Sequence, residues 1–381
     1  MTGPRVLVLH NRYRVEGGEE RSLELHLRAL RAAGVPHALH ERRSAEAGRL
    51  GAGAALLRGG TGGDEVAAAV AELDATVAHA HNMLPLIGPR GLAAAREAGA
   101  QVVLHLHNVR LFCATGFGER DGAPCARCRG RRTLPGLALN CRRSLPEAAA
   151  YAAALSLHQP EVIETVDLFV TPSAWAADRV AWLGLPREKV QPLPHYLPAD
   201  AVAESSRAAE GTYALVLSRL SPEKGIDDAI SAAAAAGVPL RIAGDGPERA
   251  RLEDLAARTG SPVELLGRVE PARALELLEG AAMVLMPSHY HEFSPYSALE
   301  AMGQGVPVVA NAMGGLPELL GPGRCVPRGD GNAFAARLAA GWTDPRGRQA
   351  EGEELLARVR ANHGEERFTG DLLRLYREIG A

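Results

Sequence analysis

Lysine is almost missing from this chain. Lys189 and Lys224 are the only two in 381 residues, and arginine supplies the rest of the 42 basic side chains. We take this scarcity, with the abundance of alanine, as a bias of genomic composition and not as a sign of function. Against 45 acidic residues the formal net charge is −3, so bulk charge gives no footing for nucleic acid or an anionic membrane surface. Also missing is any window of about 18 uninterrupted apolar residues, the length a membrane-spanning helix needs. Met1 to Val8 show no basic segment leading into a long apolar core, so no secretory signal is expected and the cytoplasm is the default location. The turn after the first apolar run lacks a full G-x-G-x-x-G, which withholds a dinucleotide reading.

What is present is globular: 46% hydrophobic and 23% charged residues, over a length that argues for two domains instead of one core. Val6-Leu7-Val8-Leu9 reads as a strand, Glu16-Gly17-Gly18-Glu19-Glu20 as a glycine-containing turn, and Leu23, Leu27, Leu30 and Ala33 as one helix face ended by Gly34. The paired glycines allow close approach of a ligand to the backbone; a plain flexible loop fits the same residues. Strands are expected at residues 76–81 and 101–107, so His81 and His107 fall at strand ends, where open α/β sheets bind ligands. A further strand ends at Thr171. Residues 191–198 are proline-rich and extended, residues 199–211 small and polar, and together they read as the interdomain linker. Alternation then restarts at Tyr213 and continues through strands at residues 240–243, 263–266, 281–287 and 306–310. The pattern predicts an α/β protein of two Rossmann-like, doubly wound domains facing across a cleft. They would span residues 1–198 and 199–360, with a C-terminal helix in 361–381 packing back on the first domain.

An insert at residues 111–145 interrupts the first domain. It holds Cys113, Cys125, Cys128 and Cys141, four of the five cysteines in the chain. A C-x2-C knuckle flanked by two more thiols, in a cytoplasmic setting, favours a closed structural zinc site, with free thiols or redox pairs as the alternatives. Arg127, Arg129, Arg131 and Arg132 in the same insert read as a solvated loop or as a face for an anionic acceptor. Cys325 stands apart and reads as packing.

In the second domain each strand runs into a polar or glycine-rich turn. Arg219 and Lys224 lie five apart on one loop, a guanidinium fork and an ammonium that suit a diphosphate. Gly244-Asp245-Gly246-Pro247, Gly267-Arg268-Val269 and Gly314-Gly315-Leu316-Pro317-Glu318 follow later strands. After the apolar run at 281–287 come Glu292, Phe293 and Ser294. Ser294 is expected as N-cap and Pro295 as the first helical residue. Free N–H groups at Tyr296 and Ser297 would form an anion site at the positive helix end, and Glu300 would point back toward Glu292. A strand, a loop and a helix with two solvated glutamates fits those residues equally well in isolation.

The ordered set of turns resembles the donor domain of retaining GT-B-fold glycosyltransferases of family 4, with Glu292-x7-Glu300 at its centre. Gly17-Gly18, His79-Ala80-His81-Asn82 and Leu106-His107-Asn108 resemble the turns of that family's acceptor domain, and the cysteine insert is similar to one in a subset of these enzymes. The resemblance implies transfer from a nucleoside-diphosphate sugar, linked to UDP or GDP, to a small-molecule or glycan acceptor. Arg219 and Lys224 would neutralise the diphosphate, Glu300 would accept ribose hydroxyls, and Glu292 would touch the transferred sugar. Phe293, Ser294, Tyr296 and Ser297 would present backbone to phosphate or sugar oxygens. Gly17, Gly18 and Gly244 would admit the donor, Arg268 and Val269 would meet the base, and His107 would reach the sugar from the first domain. His81, Asn82, Asn108 and Arg110 would lie on the acceptor side. Pro295 departs from the family, which usually offers an N–H there. No Asp-x-Asp is present, so no catalytic metal is expected at the donor, and structural zinc is the one metal anticipated.

Rival readings remain. One is a nucleotide-sugar epimerase or phosphorylase on the same fold, another a catalytically weak nucleotide-sugar binding protein. A metallohydrolase using His79, His81, His289 and His291 would need a carboxylate cluster that does not accompany them.

Overall fold

The computed structural model describes residues 3–13 and 17–381. Arg14, Val15 and Glu16, part of the first expected turn, lie outside the described residues. The chain divides into two units: residues 1–118, 125–194 and 366–381 form the first, and residues 119–124 and 195–365 the second.

The first unit is built on six parallel strands, β1 (Val6–Arg12), β2 (His37–Arg43), β3 (Val77–Asn82), β4 (Gln101–His105), β5 (Leu168–Thr171) and β6 (Val190–Pro192), in the order β2-β1-β3-β4-β5-β6. All six residues of β3 are buried. That is what a central strand covered by helices on both faces demands, and why it reads as a continuous run and not as an alternation. Residues 191–192 are not linker: they close the sheet, with Pro192 at the end of an edge strand where no ladder N–H is required. Helix α1 (Gly18–Ala32) buries Leu23, Leu25, His26, Ala29 and Leu30. The 21-residue helix Leu145–Thr165 follows the insert and carries Pro160 inside it. The sequence pattern gave no warning of that helix, because its alanines leave almost no contrast between its two faces.

The second unit repeats the plan. Its strands β7 (Tyr213–Leu217), β8 (Leu240–Ala243), β9 (Val263–Gly267), β10 (Ala281–Met286), β11 (Val308–Asn311) and β12 (Cys325–Val326) are all parallel, in the order β9-β8-β7-β10-β11-β12. Successive side chains feed opposite cores. Leu215, Val284 and Met286 pack on one face with Leu299 and Met302. Val216, Met283 and Leu285 pack on the other with Ile226, Ile230 and Leu338. At about 1.5–3 kcal/mol for each large side chain buried, these two layers dominate the unit's stability. Strand order reverses between β1 and β3 in one sheet and between β7 and β10 in the other. Such switch points open a crevice at the C-terminal strand ends, the place where doubly wound sheets take ligands.

Candidate active site

At the second unit's switch point, β7 runs into Ser218-Arg219 and β10 into residues 287–295. The two loops meet in one ionic knot. Lys224 Nζ lies 2.8 Å from Glu292 Oε1 and donates to the Tyr290 hydroxyl at 3.0 Å. Tyr290 donates to Glu292 Oε2 at 2.6 Å and Ser288 to Oε1 at 2.7 Å. Glu292 is only 4% exposed, and both of its oxygens are occupied by donors, as burial of a polar group requires. Burial pulls the Lys224 ammonium toward deprotonation, but Glu292 and Tyr290 outweigh it and hold the group above the ordinary lysine range. Burial and the Glu292 charge together push the Tyr290 phenol upward.

Arg219 is paired as well, to Glu223 at 2.6 Å. Burial disfavours the Glu223 charge, yet the Ser221 hydroxyl, a backbone N–H and Arg219 hold its carboxyl below the usual value. The two cations are therefore held in place by carboxylates before any ligand arrives.

Glycines make this loop cluster fit together. A Cβ on Gly314 would sit 2.0 Å from the Glu292 carbonyl oxygen, and Gly315 N donates to that oxygen at 2.7 Å. A Cβ on Gly244 would sit 1.8 Å from the Ser218 carbonyl oxygen. Where the sequence suggested room for a ligand at Gly244, the backbone being admitted is the neighbouring loop's own.

Helix α2 (Tyr296–Gly303) opens with Pro295 as its N-cap. The start lies one residue later than expected, because Pro295 is itself extended; the Ser294 carbonyl before it accepts from His195 Nδ1 at 3.1 Å. The His195 ring also stacks on Tyr296, with centroids 4.2 Å apart. His195 is buried, and burial, followed by its neighbour His363, lowers its pKa to about 3. It is a neutral strut under the helix mouth, and nothing in its proline-rich sequence surroundings marked it. Phe293 and Ser294 are buried, and Glu300 is half-buried in the second turn. Arg268 is exposed, while Val269 packs against the core.

The first unit's switch point is chemically different. Its hollow is lined by Tyr13, Glu19, His81, Asn82, His107, Asn108 and Arg110 among others. Asn82 Oδ1 accepts from the Tyr13 hydroxyl at 3.0 Å and from Leu84 N at 3.2 Å. Asn108 donates to Glu19 at 2.5 Å and accepts from Arg110 N at 2.8 Å. The Arg110 guanidinium lies 5.0 Å from the Tyr13 ring centre. Burial raises the Glu19 carboxyl to about 7, with Arg110 opposing. Glu19 was not singled out by sequence; the one available signal was its place directly after Gly17-Gly18. A Cβ added to either glycine would meet nothing within 4 Å among the described residues.

Residues 200–355 match the family described as glycosyl transferases group 1. The second unit carries the group 1 glycosyl transferase pattern. A glycogen synthase of Mycobacterium tuberculosis (strain CDC 1551 / Oshkosh) is 33% identical over 168 residues, covering 41% of this chain and 38% of that protein. A GDP-mannose-dependent alpha-(1-6)-phosphatidylinositol dimannoside mannosyltransferase of M. tuberculosis (strain ATCC 25177 / H37Ra) is 40% identical over 107 residues, covering 27% and 28%. The chain thus spans well under two thirds of these relatives' own length. Among solved structures, sucrose-phosphate synthase from Thermosynechococcus elongatus aligns with a TM-score of 0.75 at 18% identity, covering 98% of this chain and 99% of that one. Anabaena Alr3699/HepE in complex with UDP aligns at 0.69 and 17% identity, covering 98% and 100%. The fold is that of the GT-B glycosyltransferases: two Rossmann-like units on parallel sheets.

The structure joins Lys224 to Glu292 and His81 to His107, and it ties Asn82 to Tyr13 and Asn108 to Glu19. It assigns the four histidines of the metallohydrolase reading to different units: His79 and His81 to the first, His289 and His291 to the second. His289 bonds Asp228 at 2.8 Å, which raises its pKa. Among the described residues, the groups of three metal-ligating side chains with ligand atoms within 4.8 Å of one another are His26–His79–His81 and His81–His105–His107. The four insert thiols are not such a group, although they are in electrostatic range. Burial first, then the charges of Cys113, Cys141 and Cys125, push the Cys128 thiol up to about 11.

Proposed function

We propose that this protein is a retaining glycosyltransferase that moves a sugar from a UDP- or GDP-linked donor to a small-molecule or glycan acceptor. The observation that carries the reading is the Lys224–Glu292–Tyr290–Ser288 knot at the switch point, in the unit with the group 1 sequence pattern. Lys224 and Arg219 are the electrostatic means to stabilise a departing diphosphate without a metal ion, because preorganised charges in a dry site need little rearrangement as charge develops. Glu292 is set to hold hydroxyls of the transferred sugar, and Glu300 those of the ribose. In the second unit Arg268, Val269 and the backbone of residues 293–297 would complete the donor site. His107 serves the sugar and Asn82, Asn108 and Arg110 the acceptor, while His81, whose two ring nitrogens are taken by His26 and His107, stands behind them. The names of the relatives favour neither base: one carries GDP-mannose and one neighbour holds UDP.

The test is a thermal-shift panel of nucleoside diphosphates and their sugars. Binding to the native state at 100 times Kd stabilises by about 2.7 kcal/mol, so one base should raise Tm by several degrees. A panel without any shift would sink the reading. Stereochemistry follows from NMR of the product anomer with the donor so found, and formation of sugar phosphate when inorganic phosphate is supplied in place of an acceptor would point to a phosphorylase instead.

The proposal extends to a structural zinc on Cys113, Cys125, Cys128 and Cys141. The donor set fits in kind, four soft thiols whose mutual repulsion a dication relieves, although the loops must draw closer to reach ligand spacing. About one equivalent of zinc in the purified protein is expected, lost in Cys125→Ser. Less than half an equivalent would refute the site.

A further inference from the structure

Five histidines from three elements share one face of the first unit's sheet: His26 from α1, His79 and His81 from β3, and His105 and His107 from β4 and the residues after it. Their spacing suggests metal ligation, but their orientation does not. His81 and His107 stack with planes 14° apart, and His81 and His105 with planes 28° apart. Ring lone pairs lie in the ring planes, so stacked rings do not aim at one point. What the nitrogens do meet is each other. His107 Nε2 lies 3.1 Å from His81 Nδ1, and His81 Nε2 lies 2.7 Å from His26 Nδ1. His26 Nε2 lies 3.1 Å from the Tyr376 hydroxyl, and Tyr376 lies 2.7 Å from His79 Nδ1. Tyr376 is on helix α3 (Glu365–Glu378) and is fully buried.

A chain of this kind has one proton per link, so its direction is decided at its ends. His79 Nε2 is buried with no hydrogen-bond partner among the described residues. If that nitrogen carried the proton, a donor would be stranded in the core, which native structures avoid more strictly than a stranded acceptor. The proton therefore sits on Nδ1 and is donated to the Tyr376 oxygen. Tyr376 must then donate to His26 Nε2, His26 Nδ1 to His81 Nε2, and His81 Nδ1 to His107 Nε2. Burial also holds His26, His79 and His81 below the ordinary histidine pKa, so none adds a second proton to the chain.

We propose that the chain His79–Tyr376–His26–His81 is a unidirectional hydrogen-bond relay that fixes His107 as the neutral Nδ1–H tautomer. In that state Nε2 is engaged as an acceptor, and the ring's one proton is on the opposite nitrogen. His107 is then unable to take up a proton through Nε2 as a base. His81, His26 and Tyr376 are positioning residues. This functional consequence rests on the glycosyltransferase reading; the proton order does not.

The experiment is 15N NMR of histidine-labelled full-length protein without ligand, with signals assigned from single substitutions. His26, His79, His81 and His107 should all be Nδ1–H, opposite to the Nε2–H form that a solvated imidazole prefers. An Nε2–H signal at His81 or His107 overturns the proposal. In His81→Phe the half-exposed His107 should revert to Nε2–H, and transfer should fall about tenfold in kcat with the donor KM unchanged. A His107 that keeps Nδ1–H in that variant also overturns it. Should His81→Phe not fold, the wild-type spectrum still decides. Absence of transfer with every donor, alongside four Nδ1–H signals, would count against the enzymatic reading and leave the relay standing.

Discussion

The two units share a backbone plan and differ in what they place at the same topological position. Each reverses strand order beside its first strand, and each carries its candidate site there. The second unit fills that position with fixed charge: Lys224 against Glu292 and Arg219 against Glu223. The first fills it with imidazoles, amides and a phenol around a single guanidinium, Arg110, and the Glu19 carboxyl beside it is pushed toward neutrality. The parallel sheet supplies only the crevice and the orientation of the loops. Whether the crevice prefers an anion or a neutral hydroxyl-bearing ligand is set by the side chains that the loops return to it.

The strongest way to break this contrast is Lys224→Ala. It leaves Glu292 buried with its counter-ion gone, so a stability loss of about 3 kcal/mol is expected in denaturant unfolding. Transfer should fall by about 10²–10³-fold, as when one preorganised transition-state donor is removed. Unchanged transfer would reduce the knot to architecture. Glu300→Gln should do less and do it differently. Stability should stay within about 0.5 kcal/mol, while donor affinity by calorimetry drops by about 1.5–3 kcal/mol, the scale of a hydrogen bond to a charged group. Equal donor affinity in mutant and wild type would remove Glu300 from the site.

The smallest effect is expected in the first unit. The folded-state pKa of Glu19, about 7, lies above its ordinary value of 4.5. Between those two values the folded protein binds the proton and the unfolded chain does not, so Glu19 makes stability decline as pH rises through that window. Glu19 is half-exposed, so the decline is on the order of 1 kcal/mol. Glu19→Gln should flatten that part of the pH–stability curve relative to wild type. Taking the difference between the two curves cancels His289, whose raised pKa gives a decline of the same sign. A mutant curve parallel to wild type would show that Glu19 ionises freely.

Much of the second unit was legible because its signals are local. β10, at residues 281–286, fills the apolar run up to Pro287 and is buried throughout, and a strand covered on both faces needs little more than such a run. Arg219, Lys224 and Glu292 could be marked from their positions after strands. Their pairing could not, since Lys224 and Glu292 are 68 residues apart and meet only because β7 and β10 are neighbours. The first unit was harder to read. The alanines of Leu145–Thr165 hide that helix, and Gln191-Pro192 resembled a linker because an edge strand tolerates proline.

By itself the sequence determined the alternation of strands and helices, the place where the second α/β half begins, and the residue types able to carry a diphosphate and a sugar. Those follow from periodicity, glycine and proline placement and charge, all properties of neighbouring residues. Only the tertiary structure decided who faces whom. It spends Gly244 and Gly314 on loop packing, makes His195 a strut, and closes the histidine chain through Tyr376, 297 residues beyond His79. Such contacts depend on sheet order and on the return of the last helix, and no local pattern encodes either.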